Sequence, residues 1–249
     1  MLKRKLKKVK GPLSKDITLL AVTKTVDLEW IKEIIEAGAL DLGENKVQEG
    51  LDKFYEIEKV RQELEVQAKA YGDAEFLENY RNLRWHFIGH LQKNKVKKAL
   101  EFAYLIHSVE SLSLLQSINK HARQLKKIQN ILIQVNTSGE ESKFGLSETA
   151  AVDFLEKLAG NENEYCSNVK ILGIMTMAPL TENECVIRDC FKKAKLLFDN
   201  FKKEYFGYDF IDFKYLSMGM SSDYQLAIEE GSNMVRVGSA IFGERVKPV

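Results

Sequence analysis

Apolar residues along this chain fall into two alternating patterns. Short continuous runs rich in β-branched residues recur, and between them lie longer stretches with apolar positions three and four apart. The first run, 17–23 (ITLLAVT), shows no polar alternation and fits a strand buried on both faces. Further strands are predicted at 39–43, 85–89, 104–109, 130–136, 169–175, 213–218 and 234–238. Helices are predicted over 91–102, 110–125, 147–159 and 182–205, and an earlier one is capped by Asp27 and ended by Gly38. Strands alternating with helices favour parallel pairing through right-handed crossovers. At 249 residues, a single α/β domain of the (β/α)8 TIM-barrel type takes up all of them. An open doubly wound sheet is the rival, but no G-x-G-x-x-G follows the first strand.

Two segments sit outside this rhythm. Residues 51–83 are rich in Glu and Lys and exceed what one barrel helix needs. They are expected as two helices broken near Tyr71-Gly72-Asp73, projecting at the barrel edge. Residues 1–14 carry Lys3, Arg4, Lys5, Lys7, Lys8 and Lys10, and are expected as an outer helix or a loose arm. No aromatic residues interleave those charges to stack on bases, so the run is read as solvated.

Composition narrows the classes. With 45% hydrophobic and 29% charged residues the chain can bury a core and is not disordered. A net charge of +1 creates no field that would gather nucleic acid or an anionic membrane. The three cysteines, Cys166, Cys185 and Cys190, are odd in number and lack metal-ligand spacing, as expected for reduced thiols in a cytoplasmic protein. No metal site is predicted. No stretch of about 18 apolar residues exists to span a membrane, and no apolar run follows the basic start to make a secretory signal.

In a parallel barrel, functional groups gather at the C-terminal ends of the strands. Here those ends read Thr23-Lys24-Thr25, Gly43-Glu44-Asn45, Gly89-His90, His107-Ser108, Asn136-Thr137-Ser138, Met175-Thr176-Met177, 217–221 (SMGMS) and 236–239 (RVGS). Lys24 directly follows a buried run, so partial desolvation is expected to favour the neutral amine that condenses with an aldehyde. The alternative is a lysine that snorkels from the strand end to water. Barrels frequently hold phosphate on the turns after strands seven and eight, where Ser217, Ser221, Gly238 and Ser239 stand. Any one of these serines could equally cap a helix or a turn. Arg236 is expected to project into the same site, or else to serve in a structural ion pair. Facing a pyridine nitrogen, its guanidinium would keep its proton and leave that nitrogen unprotonated, a poor electron sink.

At these same positions the chain resembles the pyridoxal phosphate homeostasis protein family, itself similar to the N-terminal barrel of alanine racemase. The resemblance lies in Leu20-Ala-Val-Thr-Lys-Thr25, Gly43-Glu-Asn45 with Val47-Gln-Glu49, and Trp85-His-Phe-Ile-Gly89 with Leu91-Gln92 and Asn94-Lys95. It continues through Gln134-Val-Asn136, Ser138 to Lys143, Leu216-Ser-Met-Gly-Met-Ser221 and residues 234–245. The family implies a fold-type III barrel holding pyridoxal 5′-phosphate as a Schiff base on Lys24, with Arg236 at the pyridine nitrogen. It further implies phosphate contacts at Ser217, Gly238 and Ser239, help from Ser221, a cofactor-side lining of Asn45 and His86, and a secondary amine at Lys143. The chain departs from the family at Lys46, where an aromatic residue or arginine is usual, in its short basic N-terminus and in the long 51–83 stretch.

The resemblance also implies a role. Racemase-like barrels need a second acid/base from an added β-domain, and this chain ends at Val249 without one. A monomeric cofactor carrier is therefore expected, one that passes pyridoxal phosphate by transimination to candidate apo-enzyme recipients. The alternatives are a weak amino-acid racemase and a cofactor-free Schiff-base barrel such as an aldolase.

Overall fold

Eight parallel strands close on themselves in sequence order, each paired with its neighbours in the chain and β1 with β8. The computed structural model describes residues 1–72, 74–140, 144–160 and 165–243. The strands are β1 Thr18–Val22, β2 Asp41–Glu44, β3 Arg84–Phe87, β4 Leu105–Val109, β5 Gln129–Gln134, β6 Val169–Met175, β7 Ile211–Ser217 and β8 Met234–Val237. The predicted runs and the observed strands coincide within a few residues. Continuous apolar sequence is what two covered faces require, and the strands are covered on both except in the first half of β7, where Asp212 and Lys214 are exposed.

Two layers of apolar packing hold the barrel. The larger lies between strands and helices and takes Ile31, Ile34 and Ile35 from α2 (Leu28–Glu36), and Leu114, Leu115 and Ile118 from α6 (Leu112–Gln124). It also takes Phe191, Phe198 and Phe201 from α8 (Glu184–Glu204). A second cluster of Leu105, Leu132, Leu172, Met175, Tyr215 and Met234 fills the barrel itself. Gly173 is obligatory where β6 kinks, because its φ is +142° and an added Cβ would sit 1.9 Å from the Tyr215 carbonyl oxygen.

Helix starts follow their caps. Ser111 accepts from the Leu114 N–H, and Ser147 from the Ala150 N–H to begin α7 (Glu148–Ala159). Asn183 accepts from the Cys185 N–H at the start of α8. Asp27 does stand at the N-cap of α2, although it caps through its backbone carbonyl alone.

The two irregular segments resolve into helices. Residues 2–10 form α1 (Leu2–Lys10), whose Leu2, Leu6 and Val9 are buried while its lysines face outward. It is thus an outer helix and not a loose arm. The predicted helix pair begins four residues earlier than expected, as α3 (Val47–Tyr71), and resumes as α4 (Leu77–Arg81). The break falls at Gly72, as expected. Only the first three turns of α3 bury side chains, through Val47, Leu51, Lys53 and Ile57, and the remainder runs along the edge. Beyond these come α5 (Val96–Phe102), α9 (Tyr224–Glu229) and α10 (Ser239–Phe242). Among the described residues no helix is long and apolar enough to cross a membrane, and no cluster of metal ligands occurs.

Candidate functional site

β1 stops at Val22, and Thr23-Lys24-Thr25-Val26 form a tight turn closed by the Val26 N–H donating to the Thr23 carbonyl at 3.0 Å. Lys24 therefore lies beyond the sheet and is exposed, which corrects the expectation of a partly desolvated amine. Among the described residues its ammonium has no hydrogen-bond or ion-pair partner. Thr23 faces outward, its hydroxyl donating to Glu44 Oε1 at 2.7 Å, so strand alternation sets Leu20 and Val22 on the inner side.

Register brings the last turn to this lysine. Leu20 pairs with Arg236 and Ala21 with Val237, so β1 and β8 deliver the Lys24 turn and the Gly238 turn to the same rim. There the Ser221 hydroxyl oxygen accepts from the Gly238 N–H at 3.1 Å and the Ala240 N–H at 3.4 Å. Its own proton remains available to a further acceptor. Ser239 is exposed beside it. Gly219 makes the preceding turn possible, with φ +92° and a would-be Cβ only 2.6 Å from Ala227 Cβ.

Arg236 is buried in the barrel, donating from Nη1 to Ser217 Oγ at 2.8 Å and from Nη2 to the Thr176 carbonyl at 2.9 Å. Burial pulls its guanidinium down to about 10, with Asp223 opposing, so it stays charged at neutral pH. The remaining guanidinium N–H groups are free to face a ligand.

Beneath Arg236 runs a chain that sequence reasoning did not foresee. Asp41 Oδ1 lies 2.9 Å from His86 Nε2, His86 Nδ1 lies 3.0 Å from His107 Nε2, and His107 Nδ1 lies 3.2 Å from Ser217 Oγ. One pattern of protons satisfies every link. Burial acts to raise the Asp41 carboxyl, but His86 and Arg84 outweigh it and hold it below its usual range, as an acceptor. His86 then carries its proton on Nε2 and accepts at Nδ1, and His107 carries its proton on Nε2 and accepts from the Ser217 hydroxyl. Both histidines are pushed down by burial and stay neutral.

Two expectations change here. His86 belongs to this chain and has no spare ring nitrogen for a ligand, because both are engaged below the rim. The Ser217 hydroxyl points its proton inward to His107 and takes a hydrogen bond from Arg236, so it supports the arginine and offers no donor to a phosphate. Asn45 does reach the rim after β2, with a buried Oδ1 that has no partner among the described residues. Gly89 is pressed against it, since a Cβ there would meet the Asn45 carbonyl oxygen at 2.1 Å. Lys143 lies outside the described residues.

The outer side of the Lys24 turn carries a second buried cluster. Lys53 of α3 donates to the Thr23 carbonyl at 2.6 Å, to Glu44 Oε1 at 2.9 Å and to Glu49 Oε1 at 2.6 Å. Glu49 in turn accepts from the Thr25 N–H. Lys53 went unremarked in the sequence because it is one of many lysines in a charged helix. The only signal was the pair Glu44 and Glu49 in adjoining motifs.

Eight parallel strands closed in sequence order, with Lys24 in the turn after β1 and Arg236 on β8, define a (β/α)8 barrel with a polar site at its rim. The family model described as the alanine racemase N-terminal domain matches residues 1–246. The chain belongs to the pyridoxal phosphate homeostasis protein family. It is 37% identical over 227 residues to the member from Aquifex aeolicus, covering 91% of this chain and 86% of that one. It is also 37% identical over 235 residues to the member from Escherichia coli K12, covering 94% of this chain and 88% of that one. PipY of Synechococcus elongatus without PLP superposes with a TM-score of 0.81 at 29% identity, covering 98% of this chain and 100% of PipY. Its PLP-bound form gives 0.80 at 27% identity, with the same coverage. Alanine racemase of Clostridium difficile 630 shares the fold, with a TM-score of 0.72 at 16% identity over 99% of this chain and 60% of the racemase.

Proposed function

We propose that this protein carries pyridoxal 5′-phosphate as a Schiff base on Lys24 and passes it on by transimination. One juxtaposition supports the reading most: the pairing of Ala21 with Val237 brings the Lys24 turn and the Gly238 turn to the same rim, with the charged Arg236 buried one step below. The residues suit the cofactor. The Ser221 hydroxyl, held in place by the Gly238 and Ala240 amides, keeps its proton for a phosphate, and Ser239 stands exposed beside it. Arg236 keeps spare N–H donors for a pyridine nitrogen, and Asn45 stands on the neighbouring rim turn, after β2. The cofactor contributes an aldehyde carbon of the right reactivity.

A deprotonated Lys24 would be the nucleophile toward that aldehyde, with water as the leaving group, and would return as a free amine once a recipient's amine took its place. Arg236, which holds its proton, would donate to a pyridine nitrogen and leave it unprotonated, giving little support to a carbanion. The relatives named for pyridoxal phosphate homeostasis, and PipY with PLP bound, support pyridoxal phosphate as the ligand.

Incubating the protein with pyridoxal phosphate, reducing with borohydride and mapping the adduct by mass spectrometry tests this. The adduct is expected on Lys24 and lost in Lys24→Ala. No adduct, or an adduct confined to other lysines, ends the proposal. Loaded protein in deuterium oxide is expected to exchange no amino-acid α-hydrogen, and exchange that depends on Lys24 would instead favour the racemase.

A further inference from the structure

The Lys24 turn is a strained one. Thr25 takes the third position with φ +57°, a region that suits glycine and disfavours a β-branched residue. Such a conformation persists only where its surroundings over-determine it. Here they do so on both sides of Lys24: the Thr23 carbonyl is held by the Lys53 ammonium, and the Thr25 N–H by the Glu49 carboxylate. Lys53 itself is 8% exposed, and its three donors are all used.

The same geometry has an electrostatic side. Glu44 and Glu49 both lie within a residue or two of Lys24 through their bonds to Thr23 and Thr25. A free carboxylate so placed would pair with the Lys24 ammonium and hold it charged. Lys53 engages both carboxylates from α3, and Lys46 adds a second positive charge near Glu49. Burial and repulsion from Glu49 raise Glu44 while Lys53 and Thr23 oppose them; Glu49, despite partial burial, is held low by Lys53, Thr25 and Lys46.

We propose that Lys53 is a positioning residue for Lys24: it clamps the turn that aims Lys24 and occupies the two carboxylates that would otherwise pair with its ammonium. The proposal deepens the carrier reading, since it supplies a reason for an exposed lysine to stay reactive. It makes a prediction about the ligand-free protein that does not depend on the cofactor at all.

The test is competitive reductive methylation of Lys24 with formaldehyde and cyanoborohydride across pH, read by mass spectrometry against the exposed lysines of α1 as internal standards. In Lys53→Met the Glu49 carboxylate is released, and the midpoint of Lys24 reactivity is expected to rise by about one pH unit. Lys53→Arg, which keeps the charge, is expected to restore most of the shift. Lys53→Met combined with Glu49→Gln removes the released carboxylate and is expected to bring the midpoint back toward the wild-type value. A merely structural role would lower stability in Lys53→Met and in the double variant and leave the midpoint where it was. An unmoved midpoint in folded Lys53→Met, or one that the double variant fails to reverse, overturns the proposal. Repeating the series with pyridoxal phosphate and borohydride separates the two ideas: methylation that behaves as expected with no cofactor adduct on Lys24 would sink the carrier reading and leave the positioning role of Lys53 standing.

Discussion

Single residues in the barrel interior tie folding to acidity. His86 and His107 are buried and neutral, each with its folded-state pKa pushed below that of an exposed histidine. An unfolded histidine titrates near 6.5, so below about that pH the unfolded chain binds protons that the folded one refuses. Stability is then full above that value and is lost as pH falls beneath it, by up to about 1.4 kcal/mol per pH unit for each histidine. Urea unfolding between pH 7 and 5 is expected to show this slope, before exposed carboxylates begin to protonate. His86→Gln with His107→Gln should flatten it while lowering stability throughout, and a slope that survives the double change would exclude these histidines as its source. Much of this chemistry was hidden in the sequence. Lys24 and Arg236 stand out because each adjoins an apolar run. Asp41, His86 and Ser217 meet only through closure of the barrel, Asp41 and His86 standing 45 positions apart and His107 and Ser217 110 apart. The hint available was polar residues set inside otherwise apolar strands.

At the level of elements, α3 connects the edge of the molecule to its site. Its first turns carry Glu49 and Lys53 to the Lys24 turn, and Gly50 between them lets the helix sit close. A Cβ on Gly50 would meet Phe102 Cζ at 2.8 Å and Glu44 Cβ at 3.1 Å. Gly50→Ala is expected to cost about 1–3 kcal/mol in denaturant unfolding by forcing α3 off α5 and β2. Val66→Ala, on the exposed far half of the same helix, should stay within about 0.5 kcal/mol. Equal effects would mean that α3 is anchored along its whole length. Strands were the most legible elements, since burial on both faces writes an unbroken apolar run. The start of α3 was not legible, because Lys46 at its N-cap makes no side-chain bond and the helix carries charge on most of its surface. The acidic and basic residues of its outer half announce a solvated helix and give no sign that its first turns reach a buried site.

Across the whole molecule, one end of the barrel is built for stability and the other for a ligand. The base carries the Arg84–Asp41 pair at 2.7 Å, whereas the rim ends in turns that carry the exposed Lys24 and the Ser221 hydroxyl. A ligand gripped by β1, β7 and β8 together joins the first strand to the last two, which lie far from it in sequence, and it can bind only when the barrel is closed. Binding must then stabilise the folded chain by mass action, about 2.7 kcal/mol at a hundredfold excess over the dissociation constant. For 249 residues unfolding with about 2.1 cal/mol/K per residue, that corresponds to a rise of about 5 °C in the melting midpoint. Thermal scans at increasing pyridoxal phosphate should climb without a plateau, as linkage requires. Lys24→Ala, left with the phosphate turns and Arg236 alone, should climb less at every concentration. A midpoint indifferent to the cofactor would mean that the rim does not grip it, and a full rise in Lys24→Ala would mean that the grip owes nothing to the amine.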